Sequence, residues 1–128
     1  KRGLHPLARI VCHETNSQEP QWFTTAPVGA IRKALDKAKW TVGSVDLFEV
    51  NEAFAVVPMA VMKELSIPND ILNIHGGACA LGHPVGASGT RIITTLISAL
   101  IKNNLKKGIA SLCIGGGEAT AMALELVN

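Results

Sequence analysis

At 128 residues, 48% of them apolar, the chain has the size of one ordinary domain and can bury a core without disulfides or bound metal. Its formal net charge is only +2, and the basic residues are scattered apart from short clusters such as "KNNLKK" (residues 102–107), so composition gives no nucleic-acid footprint. The three cysteines, Cys12, Cys79 and Cys113, form no CxxC pair, which argues against a disulfide framework and a zinc site and favours a reducing compartment; no apolar run reaches the length of a membrane span.

The start, "KRGLHPLARI", lacks the apolar region that follows the basic residues of a secretory signal. It also lacks an initiating methionine, and the expectation is a piece cut from something longer. The β-branched run Ala8 to His13 predicts a strand, and "TNSQEPQWFTTAP" predicts a loop. Thr25 is placed to N-cap a helix through "PVGAIRKALDKAK", with Val28, Ile31, Leu35 and Ala38 on one face. Asp46 to Val50 reads as a short strand. "NEAFAVVPMAVMKELSI" (residues 51–67) reads as an apolar helix, with Pro58 confined to the first two turns or to a kink. "ILNI" (residues 71–74) reads as another short strand.

The stretch "HGGACALGHPVGASGTR", His75 to Arg91, then holds five glycines, two histidines and a cysteine. Glycine is costly in regular structure, so such a loop needs unusual backbone angles or close backbone approach. A long apolar helix begins near Ala87. "IASLCIGGG" is an apolar strand running into three glycines, and "ATAMALELV" is a final strand.

The order β-α-β-α-β-α-β-β predicts an α/β domain: a five-stranded mixed sheet, largely parallel, with helices on both faces. The last two strands are joined too closely to be parallel. Ligands bind at the carboxyl ends of strands in such sheets. Three loops fall there, bringing Asn51, the histidine loop and Cys113 to one rim.

Each candidate has two readings. His83 is a loop histidine bonded to backbone, or a general acid/base or oxyanion donor set among glycines that let backbone N–H groups approach a ligand. Cys113 is a core thiol at a strand end, or a nucleophile or base beside a glycine nest. Cys79 is the rival thiol, and Cys12 belongs to the first strand as a structural residue. Asn51 and Glu52 are a helix N-cap, or supply a carboxamide that positions water or a carbonyl. "GHPVGASG" lacks the endings of a phosphate loop, and His75 with His83 has no metal-ligand spacing.

"NEAFA" (Asn51 to Ala55), "GGACALGHPVGASG" (Gly76 to Gly89) and "CIGGG" (Cys113 to Gly117), in this order, resemble the C-terminal half of a thiolase. "WFTTAPVGAIRKAL" and the compact final strand extend the resemblance over essentially the whole chain (residues 1–128), which is most similar to the acetyl-CoA acetyltransferase branch. The resemblance implies that His83 activates a nucleophilic cysteine and donates to the thioester oxygen. It implies that Asn51 holds a water in that oxyanion hole, that Cys113 moves a proton on and off the α-carbon, and that the Gly115 N–H serves a second oxyanion hole. Ala53 and Phe54 would touch substrate. Claisen chemistry needs such preorganised donors and a base poised near neutral pH.

The implied reaction is the reversible condensation of two acetyl-CoA to acetoacetyl-CoA, with coenzyme A thioesters as substrates and no cofactor or metal. Thiolases keep the nucleophilic cysteine, and most of the grip on coenzyme A, in an N-terminal half that this chain does not contain. The chain is therefore expected to be inactive alone, to partner an N-terminal thiolase domain, to belong to a cytoplasmic homo-oligomer (dimer or tetramer), and to expose an apolar patch of several hundred Å². No nucleic-acid or membrane partner is expected. His75 before "GG", and Glu118 with Ala119 after "CIGGG", depart from the usual thiolase pattern. The alternatives are a degradative 3-ketoacyl-CoA thiolase of longer chains and a catalytically silent binding or assembly domain. A decarboxylating condensing enzyme fits less well, because that group pairs its cysteine with two histidines.

Overall fold

The computed structural model describes residues 3–127. Four strands, β1 (Ala8–Ser17), β2 (Leu47–Val50), β3 (Lys107–Ile114) and β4 (Glu118–Leu126), form one sheet in the order β1-β4-β3-β2. β2 and β3 run parallel, and β4 is antiparallel to both of its neighbours, β1 and β3. The sheet is thus mixed, with the closely joined last pair antiparallel as the short connection requires.

Four α-helices flank it: α1 (Ala26–Ala38), α2 (Val56–Leu65), the single-turn α3 (Ala78–Leu81) and α4 (Ser88–Lys102). α1 and α2 bury Ile31, Leu35, Val57 and Val61 on one face of the sheet with Phe48, Val50 and Ile109. α4 buries Ile92, Leu96 and Leu100 on the other with Leu47, Ala110 and Leu124. Successive side chains of a strand point to opposite faces, so Leu47 and Phe48 join different cores. β2 is buried along its whole length although it stands at one end of the sheet, because its two faces lie in the two cores and the segment at Leu72 bridges to its outer edge. β1, at the edge, is half exposed.

The expected fifth strand at residues 71–74 does not form, so the sheet has four strands rather than five. Only one parallel bridge, Phe48 to Leu72, joins that segment to β2. Asn73 turns left-handed (φ 50°), which ends the pairing. Its side chain then takes over: Oδ1 accepts from the Val50 N–H and Nδ2 donates to the Val50 carbonyl, both at 2.8 Å. The carboxamide copies a strand partner for one residue.

Other boundaries moved. β1 extends to Ser17, because β4 pairs with it from Ala8↔Leu126 to Ser17↔Glu118. Part of the loop expected after it is a 3-10 turn, Pro20–Thr25. Thr25 occupies the N-cap position of α1 but makes no cap bond; its hydroxyl donates to the Trp22 carbonyl instead. α2 begins at Val56 rather than Asn51, which puts Pro58 in its first turn, where a missing N–H costs nothing. α4 begins one residue after Ala87.

Candidate active site

β2 and β3 end side by side. The Asn51 N–H continues their ladder by donating to the Ser111 carbonyl at 2.9 Å, so Asn51 leaves the sheet opposite Leu112, one residue short of Cys113 on the neighbouring strand. The parallel register therefore puts both residues on one rim. Asn51 caps no helix; its side chain is wholly buried and turns to the glycine loop. The N-cap reading is thereby replaced by a carboxamide aimed at His83.

Asn51 Nδ2 lies 3.3 Å from His83 Nδ1 and 3.4 Å from Nε2, facing the ring edge between the two nitrogens. Both separations exceed ordinary hydrogen-bond lengths, so the N–H bonds of Asn51 are weakly engaged. His83 Nδ1 makes its short contact, 2.6 Å, with Ser88 Oγ, and Ser88 Oγ donates to the Pro84 carbonyl at 3.1 Å. A hydroxyl has one proton. With that proton spent on Pro84, the Ser88 oxygen accepts from His83 Nδ1–H. The neutral imidazole then carries its lone pair on Nε2, the state a general base needs.

Behind Asn51 stand Arg91 and Glu49. Arg91 Nη2 donates to Asn51 Oδ1 at 3.3 Å, and Nη1 faces Glu49 Oε2 at 3.7 Å. Burial pushes the Glu49 carboxyl up to about 7; Arg91 opposes that push and the Glu52 charge adds to it. Ser88, Arg91 and Glu49 are the members that motif reading misses. A glutamate inside the otherwise apolar strand "DLFEV", and an arginine three residues after Ser88 at the start of α4, are the available signals.

The glycine loop is pinned from the same side. Glu52 accepts from Asn73 Nδ2 at 3.1 Å and from the Cys79 N–H at 3.0 Å. A Cβ on Gly77 would collide with the Glu52 carboxyl, so this glycine serves close approach. Glu52 thus fastens loop to loop.

Cys113 is buried at the end of β3, and burial pushes its thiol up. Among the described residues no hydrogen bond joins it to His83. Gly115 is exposed in the turn that follows, which closes through the Gly117 N–H to the Ile114 carbonyl at 3.2 Å. Phe54 is exposed and stands edge-on to Phe23 at 6.0 Å, while Ala53 is partly buried against the core. Cys79 and His75 are exposed and stand outside the Asn51–His83 network. Cys12 is buried and donates to the Ala34 carbonyl, a structural role as expected. No cluster of metal ligands occurs among the described residues, and no described helix is long and apolar enough to cross a membrane.

A family model described as "Thiolase, C-terminal domain" matches residues 4–126. The chain belongs to the thiolase family. It is 50% identical to an acetyl-CoA acetyltransferase of Paracoccus denitrificans over 98% of its own length and 32% of that protein's. Against a probable acetyl-CoA acetyltransferase of Dictyostelium discoideum the identity is 54%, over 96% of this chain and 30% of the relative. A mouse relative, named a cytosolic acetyl-CoA acetyltransferase, is 49% identical over 98% of the chain and 32% of its own length. The crystal structure of the Bacillus anthracis acetyl-CoA acetyltransferase superposes with a TM-score of 0.95 at 45% identity, covering 98% of this chain and 32% of that one. The chain therefore spans about a third of the length of the thiolases it matches.

Proposed function

We propose that this chain supplies the acid/base half of a thiolase active site, in a protein that reversibly condenses two acetyl-CoA to acetoacetyl-CoA and free coenzyme A. The observation that carries the reading is His83, held by Ser88 and set beside the Asn51 N–H bonds, on the rim where Cys113 ends its strand.

In the condensing direction, a cysteine thiolate outside this chain attacks acetyl-CoA, and its acetyl group becomes a thioester as coenzyme A leaves. His83 Nε2 takes the nucleophile's proton and keeps it for the later oxyanion, while the Cys113 thiol protonates the departing coenzyme A thiolate and itself becomes a thiolate. Cys113 removes an α-proton from a second acetyl-CoA, and the enolate carbon attacks the acyl thioester. The tetrahedral oxyanion is met by His83 and by water held on Asn51 Nδ2, while the enolate oxygen is met by the Gly115 N–H. Collapse expels the cysteine thiolate and releases acetoacetyl-CoA. Thiolysis runs the same steps backwards, and there Cys113 delivers a proton. A thiol whose pKa burial has raised rests in the protonated state which that direction needs. Ala53 and Phe54 lie in the loop between β2 and α2 and would border the acyl group.

The names of the relatives support the acetyl-CoA substrate class, and the 32% span supports a second domain as the source of the nucleophile. The mouse relative's name supports a cytoplasmic setting, and the parent is read as a homo-oligomer. The test is thiolysis of acetoacetyl-CoA by the chain alone and after joining to the N-terminal two thirds of the Paracoccus enzyme. Activity in the joined protein only, abolished by Cys113→Ser, is expected. Activity in the chain alone would make Cys113 or Cys79 the nucleophile and overturn the assignment of roles.

A further inference from the structure

Arg91 is an odd choice for stability alone. Its side chain is 21% exposed, that of Glu49 only 3%, and their closest approach, 3.7 Å, is too long for a hydrogen bond. Arg91 Nε and Nη1, and Glu49 Oε2, are buried with no hydrogen-bond partner. Buried ion pairs with imperfect geometry contribute little net stability, and unpartnered polar atoms subtract from it. Among the described residues the one hydrogen bond that the guanidinium makes, a long one at 3.3 Å, goes to Asn51 Oδ1.

That bond decides something. A buried carboxamide has two orientations that differ by half a turn and fill nearly the same space. In one, Nδ2 faces His83; in the other, Oδ1 does and the rim loses its N–H donor. A guanidinium donates and never accepts. Only Oδ1 can face Arg91, so Nδ2 must face His83. Among the described residues no other side chain hydrogen-bonds Asn51 Oδ1. The backbone N–H of Asn51 fixes where the residue sits, through Ser111, but cannot fix which way its amide points.

We propose that Arg91, seated against Glu49, is a positioning residue that locks the Asn51 carboxamide with its N–H bonds toward His83. The inference deepens the thiolase reading and rests on it for its catalytic consequence. The geometric half stands on the network itself. α4 supplies both supports, Ser88 to the imidazole and Arg91 to the carboxamide, three residues apart and so on one face of its first turn.

The experiment uses the joined protein for rates and the 128-residue chain for geometry. Arg91→Met alone would leave Glu49 buried beside no cation, so the principal variant replaces both, Glu49→Leu with Arg91→Met, leaving no uncompensated charge in the core. This double variant is expected to lower kcat for thiolysis about 10- to 100-fold, with KM for acetoacetyl-CoA changed less than about threefold. In an Asn51→Ala background the same pair of changes should cost less than about twofold, because the group being positioned is gone. An equal loss with and without the Asn51 side chain would overturn the proposal, as would an unaltered kcat. Independently of rate, the nuclear Overhauser contact between the Asn51 side-chain amide protons and the His83 ring proton between its nitrogens should be present in the chain and absent from the double variant. Its persistence would also overturn the proposal. If that contact behaves as expected while the unaltered joined protein shows no thiolysis, the positioning stands and the reaction assigned to the site fails.

Discussion

His83 illustrates how far a single residue can be read from sequence and where that reading stops. Its motif marks it as a candidate, but the state of its ring is set by Ser88, five residues on, and that follows from the turn by which the loop enters α4. Replacing Ser88 with alanine removes the acceptor on Nδ1 and frees the tautomer. The expected result is a loss of about 10- to 100-fold in kcat for the joined protein, with about 1 kcal/mol less stability. The ring-nitrogen chemical shifts of His83 check the cause: Nδ1 protonated in the parent, a mixture of tautomers in Ser88→Ala. Full activity with unchanged shifts would remove Ser88 from the account. Glu49 gives a second prediction at this scale. Its folded-state pKa, about 7, lies above the ordinary 4.5, so the fold holds that proton more tightly than the unfolded chain does. The resulting stabilisation is fully present below about pH 4.5 and is lost as pH rises through 7. Arg91 and Glu52 are the charges that act on it, in opposite senses. Glu49→Gln cannot ionise. Its stability relative to the parent should therefore rise by on the order of 2 kcal/mol between pH 4.5 and pH 8 and then level. Urea unfolding of both proteins at pH 5 and pH 8 measures the gap, and a gap that stays constant would mean that Glu49 does not titrate as its burial requires.

At the scale of elements, the order of helices and strands was legible because the two periodicities are distinct and the helices long: α1 and α4 lie close to where their apolar faces placed them. What was not legible depends on partners. β1 runs on to Ser17 because β4 is there to pair with it, which its own polar C-terminal half does not announce. "ILNI" has the composition of a strand, but Asn73 adopts a left-handed conformation and spends its side chain on the Val50 backbone. Asn51 looked like a cap because the residue type suits one; the helix it would cap starts five residues later. The hairpin between β3 and β4 shows a local demand that sequence gives only as a run of three glycines. Gly117 has φ 90°, and a Cβ there would run into the Gln18 carbonyl oxygen. The loops cannot simply separate, because the Gln18 N–H donates to the Gly117 carbonyl at 2.9 Å. Gly117→Ala is expected to cost about 2–4 kcal/mol, since strain and collision act together. Gly115→Ala, in a conformation open to any residue and with empty space around its Cβ, should change stability by less than about 0.5 kcal/mol. Denaturant midpoints of the two variants separate the cases, and equal costs would mean that the turn relaxes as a unit.

For the whole molecule, the pattern of exposure is informative. Leu7, Ile10, Leu81, Val85 and Ile101 are each about half exposed or more, and Leu7 and Ile101 line a shallow, mostly apolar groove along the outer side of α4 with Ile97. Thr94, Ser98 and Lys102 complete that groove, so α4 has its inner side in the core and an outer side with apolar residues on offer. Scattered exposed apolar residues are ordinary, but Leu7 and Ile101 meet beside the partly buried Ile97 in one groove, which marks a surface that associates. The chain spans about a third of the thiolases it matches, and the prediction is that the rest of such a protein covers this surface. Alone, the chain should therefore self-associate as concentration rises, and Ile101→Lys with Leu7→Gln should weaken that association without lowering the unfolding midpoint by more than about 1 kcal/mol, because neither side chain is buried in either core. Small-angle scattering across a concentration series reads the first effect and urea unfolding the second. Joining the N-terminal two thirds of a thiolase should abolish association through these residues, so that Ile101→Lys with Leu7→Gln no longer changes the oligomeric state of the joined protein. A chain that stays monomeric at millimolar concentration, or a joined protein that turns over yet still self-associates through these residues, would place the domain contact on another face.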